Sequence, residues 1–230
     1  MPVTPLSRTG RWALLLTAAL AIIGVSIQLT LDIVDAYPPL PSTVAHSFGD
    51  NASGAAGALG RVLDTFSYFT NVSNITVAVV LICMGLGRVA PTAVWRALRM
   101  DTLVMITVTG LVYSIVLAPS AVLRGWEHVG NALVHITVPI LTVVTFLIWG
   151  PRGWLTLRTV FTALILPIIW LVYTLVRGSI INAYPYPFLN VANLGLVQAL
   201  TNVAFVVVLG VVLGLIFLGL DKLMMRLRRG

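Results

Sequence analysis

Thr70 and His135 are the side chains of this sequence best suited to chemistry. Residues 68–76 read YFTNVSNIT, and the run continues through Val77, Ala78, Val79, Val80, Leu81 and Ile82. A threonine hydroxyl is a weak nucleophile and needs an adjacent base. His135 lies in the apolar run Asn131-Ala-Leu-Val-His135, where an ionisable side chain is a functional candidate by default. Set at one depth on neighbouring helices, the two supply a nucleophile and its general base. Asn71, Ser73, Asn74 and Asn131 stand nearby, and Gln198 and Asn202 are spaced i, i+4 on a later apolar run. These six are candidate substrate or oxyanion donors, because acyl transfer needs a hydrogen bond to the developing oxyanion.

Other chemistries have less behind them. The chain has three histidines. His128 and His135 are two helical turns apart, about 10 Å, so no metal or haem site is expected, and no cofactor. There is no G-x-S-x-G elbow, no H-E-x-x-H pair and no phosphate loop. A non-enzymatic reading stays open. Ser and Thr often bond their own helix backbone, and Asn and Gln join helices. The same residues would also suit a small transporter or lipid-binding protein, although the broken helices and internal repeat of secondary transporters are not evident.

The elements that must carry these residues follow from composition. Of 230 residues, 59% are hydrophobic and 9% charged, where a soluble domain carries about a quarter charged residues. Too little polar surface remains to cover a water-facing globule. Apolar stretches of about 20 residues span a bilayer as helices, and six occur, over 12–33, 66–86, 102–120, 130–149, 157–176 and 196–220. The expected fold is all-α: one polytopic domain over 1–230, a bundle of six transmembrane helices. The 34–65 connection, with its NASGAAGALG patch, reads as an irregular outer loop. The first apolar run is too long for a typical signal peptide and is expected to be retained. Cys83 falls inside the second span and reads as packing.

Orientation follows from Lys and Arg. Arg8, Arg11, Arg88, Arg96, Arg99, Arg152, Arg158, Lys222, Arg226, Arg228 and Arg229 fall on one side; Arg61, Arg124 and Arg177 fall on the other. Both termini are therefore expected in the cytoplasm of an inner or plasma membrane. The net charge of +7 is mostly a topology signal, and its basic tail abuts a membrane helix. Anionic lipid rather than nucleic acid is its expected partner.

Polar residues inside spans gather in the outer halves. Gln28, Asp32 and Asp35 share one helical face, as do Ser67, Thr70, Ser73 and Asn74. Asn131 and His135 lie one turn apart, with Arg124 and His128 continuing the stripe, and Tyr173, Thr174 and Arg177 end the fifth span. Thr70 and His135 are each about four or five residues inside the outer boundary, roughly 6–8 Å deep. This pattern describes a polar site open toward the outer leaflet, with its acyl-ester or other lipid substrate reaching it from the membrane.

Three stretches resemble one known family. Tyr68-Phe69-Thr70, Asn131-Ala-Leu-Val-His135-Ile-Thr137-Val138-Pro139 and Tyr186-Pro187-Phe188-Leu189 resemble, in order and approximate spacing, segments of the androgen-induced and androgen-dependent multi-pass membrane hydrolases and their bacterial relatives. The resemblance covers nearly the whole chain, and the histidine segment is its most specific part. It implies a six-span bundle in which Thr70 is the nucleophile and His135 the base for hydrolysing lipid esters, notably fatty acid esters of hydroxy fatty acids. The chain departs from the family pattern at Ser73, where an acidic residue is usual. Its proline also falls one residue early, and its 34–65 loop is longer.

The charge asymmetry is tested by impermeant thiol labelling of intact cells. A cysteine replacing Ser53 should label and one replacing Gly230 should not. The opposite pattern would reverse the orientation.

Overall fold

The computed structural model describes residues 6–37 and 47–227. Among these, the chain is an all-α polytopic bundle with the composition of an integral membrane protein. Helix α1, Arg8–Ile33, starts at Ser7, whose hydroxyl accepts from Gly10 N at 3.1 Å. A 3-10 turn at Gly54–Gly57 leads into α2, Ala58–Ser67, followed by α3, Phe69–Gly85. Helix α4, Ala93–Val112, continues through a π-helical turn at Tyr113–Leu117. Helix α5, Glu127–Ala132, passes through a second π turn, Leu133–Thr137, into α6, Val138–Trp149. Then come α7, Leu157–Thr162; α8, Ile165–Ile181; a 3-10 turn at Pro187–Leu189; α9, Val191–Leu194; and α10, Leu196–Leu227.

Five of the resulting rods are long and apolar enough to cross a membrane: Arg8–Ile33, Ala93–Ser120, Glu127–Trp149, Leu157–Ile181 and Leu196–Leu227. A sixth exists only if Gly54–Ser67 and Phe69–Gly85 are taken together, and these are bent by 69°. The straight second span expected over 66–86 is therefore broken near its start. Other boundaries move outward: the first span begins at Arg8, the third at Ala93 and the fourth at Glu127, the fifth runs to Ile181, and the last runs to Leu227. The 34–65 segment is not wholly irregular, since helix begins at Gly54. Its residues 38–46, with Arg228 and Arg229, lie outside the described residues.

Local hydrogen bonds explain the bend. Tyr68 is extended, with φ −71° and ψ 132°. The Ser67 carbonyl accepts from the Trp170 indole at 2.9 Å. The Thr65 carbonyl accepts from the Asn71 amide at 2.7 Å. Carbonyls at the end of α2 are thus satisfied by side chains, as a helix terminus requires when it is buried. Thr70 consequently falls in the first turn of a new helix.

Helix α4 is the hub. Its Ile106 joins Leu14, Ala18 and Ala21 of α1 and Val77, Val80 and Leu81 of α3 in one core. Its Met100, Leu103, Val104 and Val108 join Phe146, Val160, Phe217 and Leu218 in a second. The end of the bundle bearing the chain's first basic residues also buries charge that the sequence placed at a span edge. Arg99, Asp101 and Asp221 are all buried. Arg99 and Arg152 lie over the Phe146 ring, 5.6 and 5.3 Å from its centroid. Asp221 accepts from Gly153 N at 3.0 Å, pinning the 150–156 loop to α10.

Glycines let helices approach the histidine segment. A Cβ on Gly110 would stand 3.1 Å from the His135 carbonyl oxygen and 3.1 Å from Pro139 Cβ. One on Gly24 would stand 2.7 Å from Val134 Cγ1 and 3.0 Å from Leu133 Cβ. Small residues at such crossings are how membrane helices pack closely. Gly24→Val should therefore lower thermal stability in detergent, by about 1–3 kcal/mol for an overpacked contact. Gly219→Ala, where nothing lies within 4 Å, should not. Equal melting temperatures for the two variants would show that α1 does not set the position of the histidine segment.

Candidate active site

The bend and the two π turns converge on one spot. Thr70 sits in the first turn of α3, Tyr113 opens the π turn of α4, and His135 is central to the π turn after α5. Pro139 supplies a local cause for the second π turn. It has no N–H to donate to the carbonyl of His135, four residues earlier, so the regular ladder is interrupted there.

A chain of hydrogen bonds results. Thr70 Oγ1 lies 3.1 Å from His135 Nε2. His135 Nδ1 lies 2.9 Å from Asn131 Oδ1. Asn131 Nδ2 donates to the Tyr113 hydroxyl at 2.7 Å. With the amide so oriented, Asn131 accepts from Nδ1–H, which leaves the Nε2 lone pair facing the threonine. The Tyr113 ring stacks on the imidazole at 3.9 Å between centroids and 15° between planes. Thr70 is 7% exposed and His135 9%, so the pair is shielded but not sealed. A hydroxyl, an imidazole and an amide in this order have the geometry that a nucleophile, base and orienter require, with an amide third member as in the Cys-His-Asn proteases.

The loop after α8 completes the site. The Tyr186 hydroxyl accepts from Thr70 N at 3.3 Å and lies 3.4 Å from Thr70 Oγ1. It also takes a hydrogen bond from Phe69 N. These N–H groups belong to the first turn of α3 and have no acceptor within the helix. Burial raises the Tyr186 phenol above its ordinary pKa, against the lowering effect of its bonds with Thr70 and Phe69. It therefore stays protonated as a donor. A phenol held by helix N-terminal N–H groups beside a hydroxyl is the kind of donor that can stabilise an oxyanion.

The other sequence candidates do different work. Asn131 is bonded to the histidine and to Tyr113. Asn71 Nδ2 is used on Thr65. Asn74 Nδ2 donates to the Thr70 carbonyl at 2.8 Å and the Val134 carbonyl at 3.2 Å, tying α3 to the histidine segment. Ser73 bonds the Thr70 carbonyl at 2.9 Å and the Thr109 hydroxyl at 2.8 Å. These four side chains frame the site, and their donors are already committed. Gln198 and Asn202 do not reach it: Gln198 donates to Asn202 at 3.0 Å, and Asn202 to the Phe188 carbonyl at 2.8 Å.

Asp32 bonds the Thr65 hydroxyl and does not orient His135. Asp35 lies beyond α1, at φ 52°, and accepts from Gly54 N at 2.8 Å. His128 is exposed. Arg177 forms an ion pair with Asp64 at 2.5 Å, and Tyr173 meets Ser67 at 2.8 Å, which together clamp α8 to α2. Among the described residues, no cluster of three or more His, Cys, Asp or Glu is placed to hold a metal ion.

Two chambers meet at Thr70. One is a narrow apolar slot of about 100 Å³, bounded by Phe69, Val108, Leu164, Trp170, Val206 and Gly210 among others. It runs between α4, α8 and α10, and α8 does not pack extensively against α10. The other, the polar chamber, is larger, about 400 Å³, has more polar surface than the slot, and includes Gln28, Asp32, Asn71, Glu127, Asn131 and His135 in its wall. Thr70, Tyr113, Leu117 and Tyr186 belong to both. No family model, curated protein or solved structure matches the chain.

Sequence reasoning left out Tyr113 as a partner of Asn131. No spacing rule links a lone tyrosine on one helix to an asparagine on another. The hydrogen-bond order makes its own prediction. Nitrogen-15 spectra of neutral His135 should show the Nδ1-protonated tautomer, and Asn131→Ala should abolish that preference. An Nε2-protonated ring in the unaltered protein would contradict the proposed direction of the chain.

Proposed function

We propose that this protein is an intramembrane hydrolase of long-chain acyl esters, with Thr70 as nucleophile and His135 as general base. The observation that carries this reading is the Thr70–His135–Asn131 chain at the junction of an apolar and a polar chamber. The resemblance to the androgen-induced and androgen-dependent hydrolases supports it at the same residues. From the Lys and Arg distribution, the site end is proposed to face outward, with both termini cytoplasmic.

The acyl chain lies in the slot between α4, α8 and α10, which it enters sideways from lipid. His135 Nε2 takes the Thr70 proton, and Oγ1 attacks the ester carbonyl. The Tyr186 O–H, whose oxygen accepts from the Thr70 N–H, donates to the tetrahedral oxyanion. Collapse breaks the bond to the alkoxy oxygen, which takes the proton from His135 and leaves through the polar chamber. Water then enters that chamber and gives a proton to His135. Its oxygen attacks the acyl-threonine, and the histidine returns the proton to Oγ1 as the fatty acid departs.

An assay with p-nitrophenyl palmitate tests the roles. Thr70→Ala and His135→Ala should each lower kcat by about 10²–10⁴-fold. The double variant should be little worse, because residues acting as a unit are non-additive. Tyr186→Phe should cost about 10²-fold if its hydroxyl is an oxyanion donor. Melting curves separate these effects from the loss of an interhelical hydrogen bond, worth about 0.6–2 kcal/mol. A fluorophosphonate should label Thr70. Wild-type turnover by a folded Thr70→Ala variant would exclude Thr70 as nucleophile. Hydrolysis of no lipid ester by the unaltered protein would favour a transporter or lipid-binding protein instead.

A further inference from the structure

The polar chamber has a one-sided chemistry. Asp32 and Glu127 are the charged side chains in its wall, and no Lys or Arg lines it among the described residues. The nearby cations are engaged elsewhere or only partly offset this charge. Arg61 donates to the carbonyls of Asp32, Ala52 and Gly54, each at 2.6 Å. Arg124 lies over the Tyr37 ring, 5.0 Å from its centroid, and pairs with Glu127 at 3.7 Å.

The chamber is also rich in acceptors. Asn71 is 3% exposed and lines the chamber. Its amide nitrogen is fixed on the Thr65 carbonyl, and its Oδ1 has no hydrogen-bond partner among the described residues. An orphaned buried acceptor is costly until something donates to it. Ionised carboxylates are acceptors only, and the two prolines of the wall, Pro185 and Pro187, bring no N–H. The unmatched Asn71 acceptor asks for a donor, and the carboxylates repel anions.

Building on the hydrolase reading, we propose that the alcohol half of the ester is an uncharged polyol with free hydroxyls, of the glycerol kind, and that an alcohol half bearing a carboxylate is rejected. The free hydroxyls donate to Asp32, Glu127 and Asn71 Oδ1 while the ester carbonyl rests at Thr70. A carboxylate in the same place meets two like charges. This parts from the hydroxy fatty acid esters that the family resemblance implies, whose alcohol half carries a carboxylate.

Four palmitoyl esters, offered to the full-length protein in neutral detergent, decide the matter: 1-palmitoylglycerol, ethyl palmitate, palmitoylcholine and 3-(palmitoyloxy)propanoate. The glyceryl ester should have the highest kcat/KM, and the propanoate should fall at least about tenfold below ethyl palmitate, as like-charge exclusion requires. Asp32→Asn and Glu127→Gln should each raise the ratio of propanoate to ethyl ester turnover. Should Asp32→Asn fail to fold, Glu127→Gln and the wild-type ranking still give the answer. Equal kcat/KM for glyceryl and propanoate esters overturns the inference and leaves the hydrolase reading standing. A choline ester well ahead of the glyceryl ester overturns the polyol assignment. Hydrolysis of none of the four removes the hydrolase reading and this inference together.

Discussion

A hydrogen-bond chain built without formal charge, from Tyr113 through Asn131 and His135 to Thr70 and Tyr186, holds the site end of this bundle together. An aspartate in the place of Asn131 would hold the imidazole as well, but a carboxylate must be desolvated at that depth, and burial of an ion costs far more than burial of an amide. An amide keeps the ring oriented at a lower desolvation cost. Every member then needs its full complement of partners, because a half-satisfied buried network is worse than none. That demand explains why so many neighbouring polar side chains, Ser73, Asn74 and Thr109 among them, are spent on backbone or on one another.

The backbone irregularities follow from the same demand. A straight helix through residues 58–85 would carry Thr70 in its interior, with its N–H consumed by the preceding turn. The break at Tyr68 frees that N–H and the one before it. The π turns at Tyr113–Leu117 and Leu133–Thr137 rotate two side chains into register with the freed end. Such turns appear frequently at functional sites because they re-aim one residue without ending the helix. Gly110 and Gly24 then let α4 and α1 close around the shifted segment.

The pairing of Thr70 with His135 could be anticipated because helix rise converts residue number into depth, and equal depth on two long apolar runs is a strong constraint. The all-α architecture was readable for the same reason. The bend at Tyr68 was not, since neither Gly nor Pro marks it; it depends on a tryptophan from α8 capturing the Ser67 carbonyl. Asn131 was visible as a polar residue one turn before His135, but its role depends on which nitrogen it faces. Gln198 and Asn202 misled because an i, i+4 amide pair satisfies itself as readily as it lines a site. Arg99 counts toward the basic side of the chain, just ahead of a span expected from 102, yet α4 begins at Ala93 and buries both Arg99 and Asp101.

The relay and the wall of the apolar slot come from different parts of the chain. Residues 70 to 135 supply the hydrogen-bonded Thr70, His135 and Asn131, whereas Ile168, Leu171, Val206 and Gly210 on α8 and α10 shape much of the slot. Substitutions at these positions, unlike one at Trp170 that would release the Ser67 carbonyl, alter the length and width of the slot while leaving the relay's hydrogen bonds untouched. Under the proposed function, divergent descendants of one ancestral gene can exchange preferred lipids by drift along two lipid-facing helices, without passing through an inactive intermediate.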